Sequence, residues 1–311
     1  MNQEKPTQHR AVMVSEVIEA LKPRSGGRYL DATLGGATHS QELLKLSAPD
    51  GRVLSLDVDL TALGRAREMQ PAYGDRWKIV ESNFRHLKQA AQESGWMPFD
   101  GILFDLGLSS DELADPSKGL SFQIDGPLDM RLGPKANDDG LTAYDIVNRW
   151  TERELIDLIR TYGEDRFAPK IAQAIVMRRR EKKFETTLDL AECIKDAVPL
   201  KHLKIHPATK TFQALRMAVN DELATLRLAL ETADEILADG GTIVVISFHS
   251  LEDRIVKQTF KKLVGYEITK KPICPTEAEV KNNSRARSAK MRAARKNTTK
   301  NNLCHEPTPL L

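Results

Sequence analysis

A glycine turn that directly follows a short apolar strand constrains the fold of this 311-residue chain more than any other feature. In the stretch RYLDATLGGATHS (28–40) the strand ends at Asp31, and the turn contains Gly35 and Gly36. Glycine has no Cβ, so the backbone can approach a ligand closely here. A carboxylate at this place disfavours a pyrophosphate and favours a cationic group, such as the ammonium or sulfonium of S-adenosylmethionine. Ala37 also breaks the G-x-G-x-x-G pattern, which argues against a dinucleotide oxidoreductase.

Three further apolar runs repeat this order of strand and helix. They read GRVLSLDVD (51–59), KIVESNF (78–84) and FDGILFD (99–105). Segments with helical spacing of apolar residues separate them, at 38–46, 60–69 and 85–94, with Thr38 as a reasonable cap. This rhythm predicts an α/β fold with a mainly parallel sheet and right-handed crossovers. A glycine turn by itself is more often a plain strand-to-helix connection than a cofactor site. The evidence for a site here therefore depends on the repeated alternation of strands and helices.

Polar or aromatic side chains stand where each predicted strand ends. Ligands of doubly wound sheets lie outside the carboxyl ends of the strands, so we expect Asp31, Asp57, Phe84 and Asp105 along one edge. Asp57 lies roughly 20 residues after the glycine turn, the spacing of acids that bind ribose hydroxyls. Alternatively, Asp57 only caps the helix that follows. Asn83 and Phe84 are placed to bind and stack a purine, unless Phe84 fills the core.

The alternation of strands and helices stops after Ser110. A polar loop rich in glycine and proline follows at 111–140, and a loop of this length is usually functional or disordered. The remaining predicted elements are helices at 142–162, 166–183 and 187–197, a hinge at 201–210, a long helix at 212–237, a buried strand at 242–250 and a helix at 252–263. We predict one domain from 1–110 and 208–311, with 111–207 inserted as a helical domain that recognises the substrate.

The charge of the chain is unevenly distributed. The formal net charge is +2, yet residues 257–300 contain 13 Lys and Arg against 3 Asp and Glu. A basic tail on an otherwise acidic body suggests a polyanionic partner, of which nucleic acid is the commonest; a solvated, poorly ordered tail is the alternative. If the tail binds RNA phosphates, truncation after Gly265 should leave cofactor affinity largely intact and weaken RNA binding.

Cysteine usage and the first residues bear on the compartment. Cys193, Cys274 and Cys304 stand far apart, which argues against a disulfide framework and a structural zinc and indicates a reducing compartment. The first ten residues are polar, and no apolar run approaches membrane-spanning length. We expect a soluble, cytoplasmic protein without a metal or a membrane partner.

Four separate strings resemble one known family. They are GLSFQIDGPLDMR (119–131), HPATKTFQALRMAVNDEL (206–223), ISFHSLEDRIVK (246–257) and SRARSAKMR (284–292). Together they resemble the MraW-type ribosomal RNA small-subunit methyltransferase H family, from about His9 to Arg292. The resemblance implies a class I, Rossmann-like methyltransferase fold with an inserted all-helical domain and S-adenosyl-L-methionine as cofactor. It also implies a substrate, the exocyclic N4 amine of a cytidine in the decoding region of small-subunit (16S) rRNA.

The resemblance also implies which residues hold the cofactor. They are Ala37, Thr38, His39, Asp57, Phe84, Asp105 and Glu112, to which the strand end and the glycine turn described above add Asp31 and Gly35. The family loop usually reads G-R-G-G-H-S, whereas this chain has GGATHS, which costs backbone freedom if Ala37 or Thr38 requires a positive φ. The usual S-S-P-Q-L-D reads SSDELA here, so Glu112 places a charge near the cofactor.

Methylation of an amine requires hydrogen-bond acceptors beside the reacting nitrogen. The lone pair of the cytosine amine is delocalised into the ring, so the enzyme must hold the amine in line and accept its protons. We expect Asp105 to do this, with Ser109 and Ser110 flanking it; alternatively, Asp105 only caps a turn or binds the cofactor amine. His249 either contacts the base or is a core histidine. Methylation of cytosine carbon is disfavoured, because no cysteine follows a strand of the sheet at its carboxyl end.

Some questions stay open from the sequence. A catalytically inactive RNA-binding protein that retains the fold is an alternative, and the altered loop at Ala37 and Thr38 allows it. A base inside folded rRNA must leave its stack before the chemistry. The sequence does not decide between free rRNA, a precursor particle and the small ribosomal subunit as substrate, nor whether the protein is a homodimer.

Overall fold

The computed structural model describes residues 11–137, 139–199 and 205–298, and only the backbone of Ser110. A seven-stranded sheet lies at its centre. In chain order the strands are β1 (Arg28–Asp31), β2 (Arg52–Asp57), β3 (Trp77–Glu81), β4 (Phe99–Asp105), β5 (Leu237–Ser247), β6 (Tyr266–Ile268) and β7 (Lys290–Lys296). Their order across the sheet is β3-β2-β1-β4-β5-β7-β6.

Parallel pairing dominates the sheet. Strand β1 is parallel to β2 and β4, and the pairs β2–β3 and β4–β5 are parallel as well. Strand β7 is antiparallel to both of its neighbours, β5 and β6. The register places Leu30 beside Leu54 and Ile102, so the carboxyl ends of the central strands meet at one edge. The predicted α/β fold with a mainly parallel sheet is confirmed.

Helices follow the strands, largely as predicted. In chain order they are α1 (Val14–Leu21), α2 (Thr38–Leu46), α3 (Leu60–Met69), α4 (Leu87–Ser94), α5 (Ser110–Ala114), α6 (Ala143–Arg149), α7 (Glu152–Gly163), α8 (Ala168–Glu181), α9 (Thr187–Ala197), α10 (Thr209–Val219), α11 (Glu222–Ile236), α12 (Ser250–Phe260) and α13 (Glu277–Asn282). Helices α2 and α3 have the predicted bounds. The expectation that Thr38 caps α2 is wrong, because the N-cap is Ala37, which has no side-chain acceptor.

Hydrophobic clusters cover both faces of the sheet. On one face, Leu30 and Phe104 belong to a cluster with Leu230 of α11. On the other face, Tyr29 and Trp77 pack with apolar residues of α1, α2 and α3. Adjacent strand residues point to opposite faces, so strands covered on both sides read as continuous apolar runs rather than alternating ones. This is why the strands could be recognised in the sequence.

A third hydrophobic cluster lies among α6 to α10. Helices α8 and α9 correspond to the predicted helical patterns at 166–183 and 187–197. The single helix expected at 142–162 is two helices, because Thr151 begins α7 with a capping box, in which Thr151 and Glu154 bond each other's backbone N–H. The extended backbone of Trp150 separates α7 from α6.

The long helix predicted at 212–237 is also two helices, α10 and α11. The Asn220 side chain donates to the carbonyls of Arg216 and Met130 and accepts from the Leu132 N–H, and Asp221 has a φ of 47°. Helix α10 packs into the helical cluster through Phe212, whereas α11 packs on the sheet. The packing of the helical unit therefore extends past residue 207, and the division at 111–207 stays a prediction.

Strand β5 begins earlier than the predicted start at 242. It runs from Leu237, and its register with β4 shifts between Phe99 and Gly101. Gly240 has a φ of 76° inside this strand. The glycine pair at 240–241 therefore lies in an irregular part of the strand rather than ending a helix, as expected from the sequence.

The basic tail has much more structure than the sequence indicated. Strand β7 pairs with β5 over six residues, from Thr242↔Arg295 to Ser247↔Lys290, and Met291 is fully buried. The tail therefore contributes two strands, β6 and β7, to the sheet. Residues 299–311, with Cys304, lie outside the described part of the chain. No described helix combines the length and the apolar character needed to cross a bilayer.

Candidate active site

A large cavity opens at the carboxyl edge of the sheet. Residues that follow β1, β2, β3, β4 and β5 line it, and its empty volume is about 1260 Å³ when the open mouth is included. A concave site at the carboxyl ends of the strands is where doubly wound sheets bind their ligands. Most of the predicted site residues meet in this cavity, as the strand ends indicated.

The glycine turn forms one wall of the cavity and adopts strained backbone. Gly35 and Ala37 have positive φ values of 47° and 63°. The expected cost of the substituted loop thus applies to Ala37, whereas Thr38 is the first residue of α2. A non-glycine residue in this region costs roughly 1–2 kcal/mol. The burial of the Ala37 side chain in the cluster beneath the turn offsets part of this cost.

Asp31 lies beneath the turn and does not line the cavity. Its carboxylate accepts from Ser40 Oγ at 2.6 Å and from the Thr33 N–H at 3.2 Å. Burial raises the pKa of Asp31 to about 6, although the Ser40 hydrogen bond opposes this shift. Asp31 therefore affects the cavity indirectly. Its hydrogen bonds hold the glycine turn in place, and its carboxylate contributes negative charge beneath the turn.

Asp57 ends β2 and reaches the cavity beside the turn. Its Oδ2 accepts from the Gly35 N–H at 2.7 Å, and its Oδ1 accepts from the N–H groups of Val58 and Asp59 at 2.8 and 2.9 Å. Burial raises the pKa of Asp57 despite these bonds. The capping role weighed for Asp57 belongs to Asp59, whose side chain accepts from the Thr61 N–H at the start of α3.

Asn83 and Phe84 follow β3 and both line the cavity. The orientation of the Asn83 amide is fixed, since Nδ2 donates to the Ala136 carbonyl at 3.0 Å and Oδ1 accepts from the Arg85 N–H, which leaves one N–H and one lone pair for a ligand. Phe84 contacts Phe104 edge to face, with ring centroids 5.9 Å apart. Phe84 is only half-buried, so a planar group can stack on it.

Asp105 and His39 form a close pair inside the cavity. His39 Nε2 lies 3.5 Å from Asp105 Oδ2, and the Asp105 N–H donates to Thr33 Oγ1 at 2.7 Å. Asp105 Oδ1 and both ring nitrogens of His39 are buried without a hydrogen-bond partner. Burial opposes protonation of His39, but the carboxylates of Asp105 and Asp31 outweigh it and raise its pKa. Buried polar atoms without a partner are rare in folded proteins, and they are expected where a water, an ion or a ligand completes a site.

The residues after Asp105 begin helix α5. Ser109 and Glu112 form a capping box in which Glu112 Oε2 accepts from the Ser109 N–H at 2.7 Å and Ser109 Oγ accepts from the Glu112 N–H. Both residues line the cavity. Burial, followed by repulsion from Asp57, raises the pKa of Glu112 to about 7. The side chain of Ser110 lies outside the described part of the structure.

Sequence reasoning missed a group of charged residues that line the same cavity. Arg216 in α10 makes a bidentate bond to Glu222 in α11, with Nε to Oε1 at 2.7 Å and Nη2 to Oε2 at 2.9 Å. Glu252 in α12 is buried beside them, and Arg285 completes the group. The Asn–Asp pair in MAVNDEL (217–223) indicates a helix end at this place, but not the charged residues that gather around it.

His249 caps α12 rather than lining the cavity. Its Nε2 lies 3.1 Å from Glu252 Oε1, and Glu252 Oε2 accepts from the Phe248 N–H at 2.8 Å. Phe248 itself lines the cavity. Of the two interpretations of His249, the structure favours a structural histidine over one that contacts the base.

The charge of the cavity is negative. Five lining residues carry carboxylates and two carry guanidinium groups; these are Asp57, Asp105, Glu112, Glu222, Glu252, Arg216 and Arg285. Protonation of His39 would remove only part of this excess. A cavity with surplus negative charge and low-dielectric walls favours a cationic ligand over an anionic one.

Comparison with known proteins identifies the family. The sequence pattern of the MraW methylase family matches residues 6–297. The chain belongs to the MraW methylase family. Two relatives named Ribosomal RNA small subunit methyltransferase H come from Carboxydothermus hydrogenoformans, 48% identical over 93% of this chain and 97% of the relative, and from Thermomicrobium roseum, 46% identical over 93% of both. A third, from Brevibacillus brevis, is 43% identical over 93% of this chain and 98% of its own length.

The chain has the class I methyltransferase fold that the resemblance predicted. The family match covers both parts of the sheet and the helical unit between them. In this chain, the residues at the strand ends and the charged residues of α10, α11 and α12 share one cavity. The arrangement can therefore hold a cofactor and a second reactant side by side.

Proposed function

We propose that the protein transfers the methyl group of S-adenosylmethionine to the exocyclic N4 amine of a cytidine in the decoding region of small-subunit rRNA. Membership of the MraW methylase family supports methyl transfer, and the name shared by the relatives supports small-subunit rRNA as the substrate. The protein would then act in the cytoplasm. Its partner would be free rRNA, a precursor particle or the small ribosomal subunit.

The residues of the cavity fit S-adenosylmethionine. The surplus of carboxylates suits its positive charge, Asp57 suits the ribose hydroxyls, and half-buried Phe84 offers a face for the adenine. The backbone from Ala37 to His39 would approach the methionyl part, and Glu112 lies near the same end as Asp57. When bound, this cofactor supplies a methyl group on a positively charged sulfur.

The state of Asp105 carries the proposal. Asp105 lines the cavity and its Oδ1 is buried without a hydrogen-bond partner, while the backbone of Asp105 is anchored by Thr33. In the proposed role, this oxygen accepts a hydrogen bond from N4, which localises the nitrogen lone pair, and then takes the proton that N4 loses. His39 Nε2 lies 3.5 Å from the other oxygen of the carboxylate, Oδ2. Ser109 supports the role by fixing the start of α5, next to the loop after Asp105.

The described cysteines support nitrogen over carbon as the methylated atom. Methylation of cytosine carbon uses a cysteine nucleophile in the pocket. Neither Cys193, which is half-buried in the helical unit, nor Cys274, which is exposed, lines the cavity. Burial also raises the pKa of Cys193 to about 11, so this thiol stays protonated at neutral pH.

Calorimetry and product mapping test the function. We expect the wild-type protein to bind S-adenosylmethionine and to form N4-methylcytidine in small-subunit rRNA from a strain that lacks the protein. Asp105→Asn should lower kcat by roughly 10²–10⁴-fold, the usual contribution of a proton acceptor, with cofactor affinity nearly unchanged. If cofactor affinity falls as much as kcat, Asp105 is a cofactor ligand only. RNA binding without cofactor binding would support the inactive RNA-binding alternative instead.

A further inference from the structure

Three charged side chains of the cavity are not used by the proposed cofactor site or by Asp105. Arg216, Glu222 and Glu252 come from α10, α11 and α12, so they join the helical unit to the sheet. Asn220, between α10 and α11, fixes this junction through its three side-chain hydrogen bonds. A buried cluster held this firmly is suited to recognising a rigid, planar group.

Arg216 is the centre of this cluster. The Glu222 carboxylate takes hydrogen bonds from Nε and Nη2, which fixes the plane of the guanidinium. Nη1 remains, and the described residues provide no hydrogen-bond acceptor for it. The guanidinium lines the cavity and only 16% of the side chain is exposed. Carboxylates of Glu222, Glu252 and Glu112 outweigh the effect of burial and raise the pKa of Arg216.

We propose that Arg216 recognises the N3 and O2 atoms of the target cytosine, and this proposal rests on the function proposed above. The Watson–Crick edge of cytosine presents one donor, the N4 amine, followed by two acceptors, N3 and O2. A donor group on the N3 side and an acceptor on the N4 side therefore select cytosine. Uracil has a hydrogen on N3 and an acceptor at position 4, so it would face Arg216 with a donor and Asp105 with an acceptor.

Two neighbours support this recognition. Phe248 follows β5 in the cavity, and its ring lies against Gly107, where a Cβ would be only 2.6 Å from a ring carbon. The ring is thus held beside the loop after Asp105, where a flipped-out base can stack on it. Glu252 accepts from the Phe248 N–H and so holds that backbone in place. Glu222 and Glu252 are positioning residues in this scheme.

A metal ion is the competing occupant of this part of the cavity. Glu222, His249 and Glu252 can offer ligand atoms within 4.8 Å of one another. However, Arg216 already donates to both oxygens of Glu222, and two backbone N–H groups bond one oxygen of Glu252. The guanidinium therefore supplies the positive charge that a cation would otherwise bring.

Binding of free nucleotides tests the proposal without relying on turnover. We would measure the affinities of CMP, UMP and 3-deazacytidine monophosphate by NMR titration, and that of S-adenosylmethionine by calorimetry. The wild-type protein should bind CMP at least tenfold more tightly than either analogue. Arg216→Met would leave Glu222 buried and unpaired, so the double variant Arg216→Met/Glu222→Gln is the main probe. It should bind CMP and 3-deazacytidine monophosphate equally and keep its cofactor affinity within twofold.

Arg227→Met is the matched control, since Arg227 is an exposed arginine of α11 and should behave as the wild type. Two outcomes overturn the proposal. The first is that the double variant still binds CMP more tightly than 3-deazacytidine monophosphate, or that the wild-type protein shows no such preference. The other is a variant whose cofactor affinity falls while CMP binding does not, which would assign Arg216 to the cofactor carboxylate. A wild-type protein that fails to bind S-adenosylmethionine would instead refute the proposed function.

Discussion

At the scale of single residues, the protonation of Glu112 links the cavity to stability. Burial, and then repulsion from Asp57, raises its pKa from 4.5 to about 7. The folded protein thus binds this proton more tightly than the unfolded chain does. The associated stability is complete below pH 4.5 and is lost as the pH rises through 7. Glu112→Gln cannot titrate, so it avoids this loss of stability, and it keeps the capping box. Its free energy of unfolding relative to that of the wild type should therefore rise by about 2 kcal/mol between pH 5 and pH 8.

Urea unfolding at pH 5 and pH 8 measures this difference. Glu154→Gln is the matched control, because Glu154 holds the same position in the capping box of α7 but its pKa is lowered by hydrogen bonds to Thr151. The control should not gain stability over the wild type as the pH rises. A constant difference between Glu112→Gln and the wild type at both pH values would contradict the expected titration.

The residues that could be recognised from the sequence are those whose position follows from strand ends. Asp57, Phe84 and Asp105 reach one cavity because parallel strands end at one edge, which hydrophobic periodicity predicts. Arg216 and Glu222 could not be found in this way. They belong to helices whose approach to the sheet depends on tertiary packing, and a charged helix residue usually faces solvent.

At the scale of elements, the loop at 111–140 closes onto the end of β2. Lys118 Nζ lies 2.9 Å from Asp59 Oδ1 and donates to the Leu132 carbonyl, and Leu132 lines the cavity. A Cβ on Gly133 would lie 1.8 Å from the Val58 carbonyl oxygen. The sequence indicated a loop that is either functional or disordered, and its described residues pack against the cavity.

Gly133→Ala should push this loop away from Val58. Because the clash is with backbone, we expect a loss of about 1–3 kcal/mol in the free energy of unfolding, the usual cost of overpacking. Cofactor affinity should fall about tenfold, since the loop and Val58 both line the cavity. Gly64→Ala in α3, where no atom lies within 4 Å, should instead gain about 0.5–1 kcal/mol. Calorimetry and urea unfolding of both variants measure the effects, and an unchanged cofactor affinity in Gly133→Ala would argue against the loop's role.

The break between α10 and α11 shows why one long helix was predicted. Apolar residues recur at helical spacing on both sides of Asn220, so the periodicity does not reveal that Phe212 faces the helical unit while Leu230 faces the sheet. What ends α10 is a set of tertiary hydrogen bonds from Asn220 to Met130 and Leu132, residues far away in the chain. Contacts of this kind are not visible in a local pattern.

Asn220→Ala should therefore affect both stability and binding. It leaves the Leu132 N–H and the Met130 carbonyl without their partner, which costs about 1–3 kcal/mol. Asn148→Ala is the matched control, because Asn148 bridges Tyr144 and Phe184 in the same way but does not line the cavity. Both variants should lose similar stability in urea. Only Asn220→Ala should also weaken CMP binding in NMR titrations, and equal CMP binding by the two variants would contradict this expectation.

At the scale of the whole molecule, charge gave a misleading account of the C-terminal part. Basic residues of a β-strand can alternate outwards while the strand remains part of the sheet. In β7, Met291 and Ala294 are buried, and Arg292 is also buried, where it pairs with Asp253 of α12. The composition revealed the excess of positive charge correctly. It could not reveal that β7 pairs with β5, from which α12, β6 and α13 separate it along the chain.

Truncation after Gly265 should consequently unfold the sheet domain rather than only weaken RNA binding, as the sequence had suggested. It removes β6 and β7, the hydrogen bonds of β7 to β5, the buried side chain of Met291, and Glu279, which accepts from the Met13 N–H. The exposed edge of β5 would also promote aggregation. Near-ultraviolet circular dichroism and calorimetry should show loss of tertiary structure and of cofactor binding. Truncation after Thr298 is the control and should keep both, whereas native melting of the shorter chain would show that β7 contributes little to the fold.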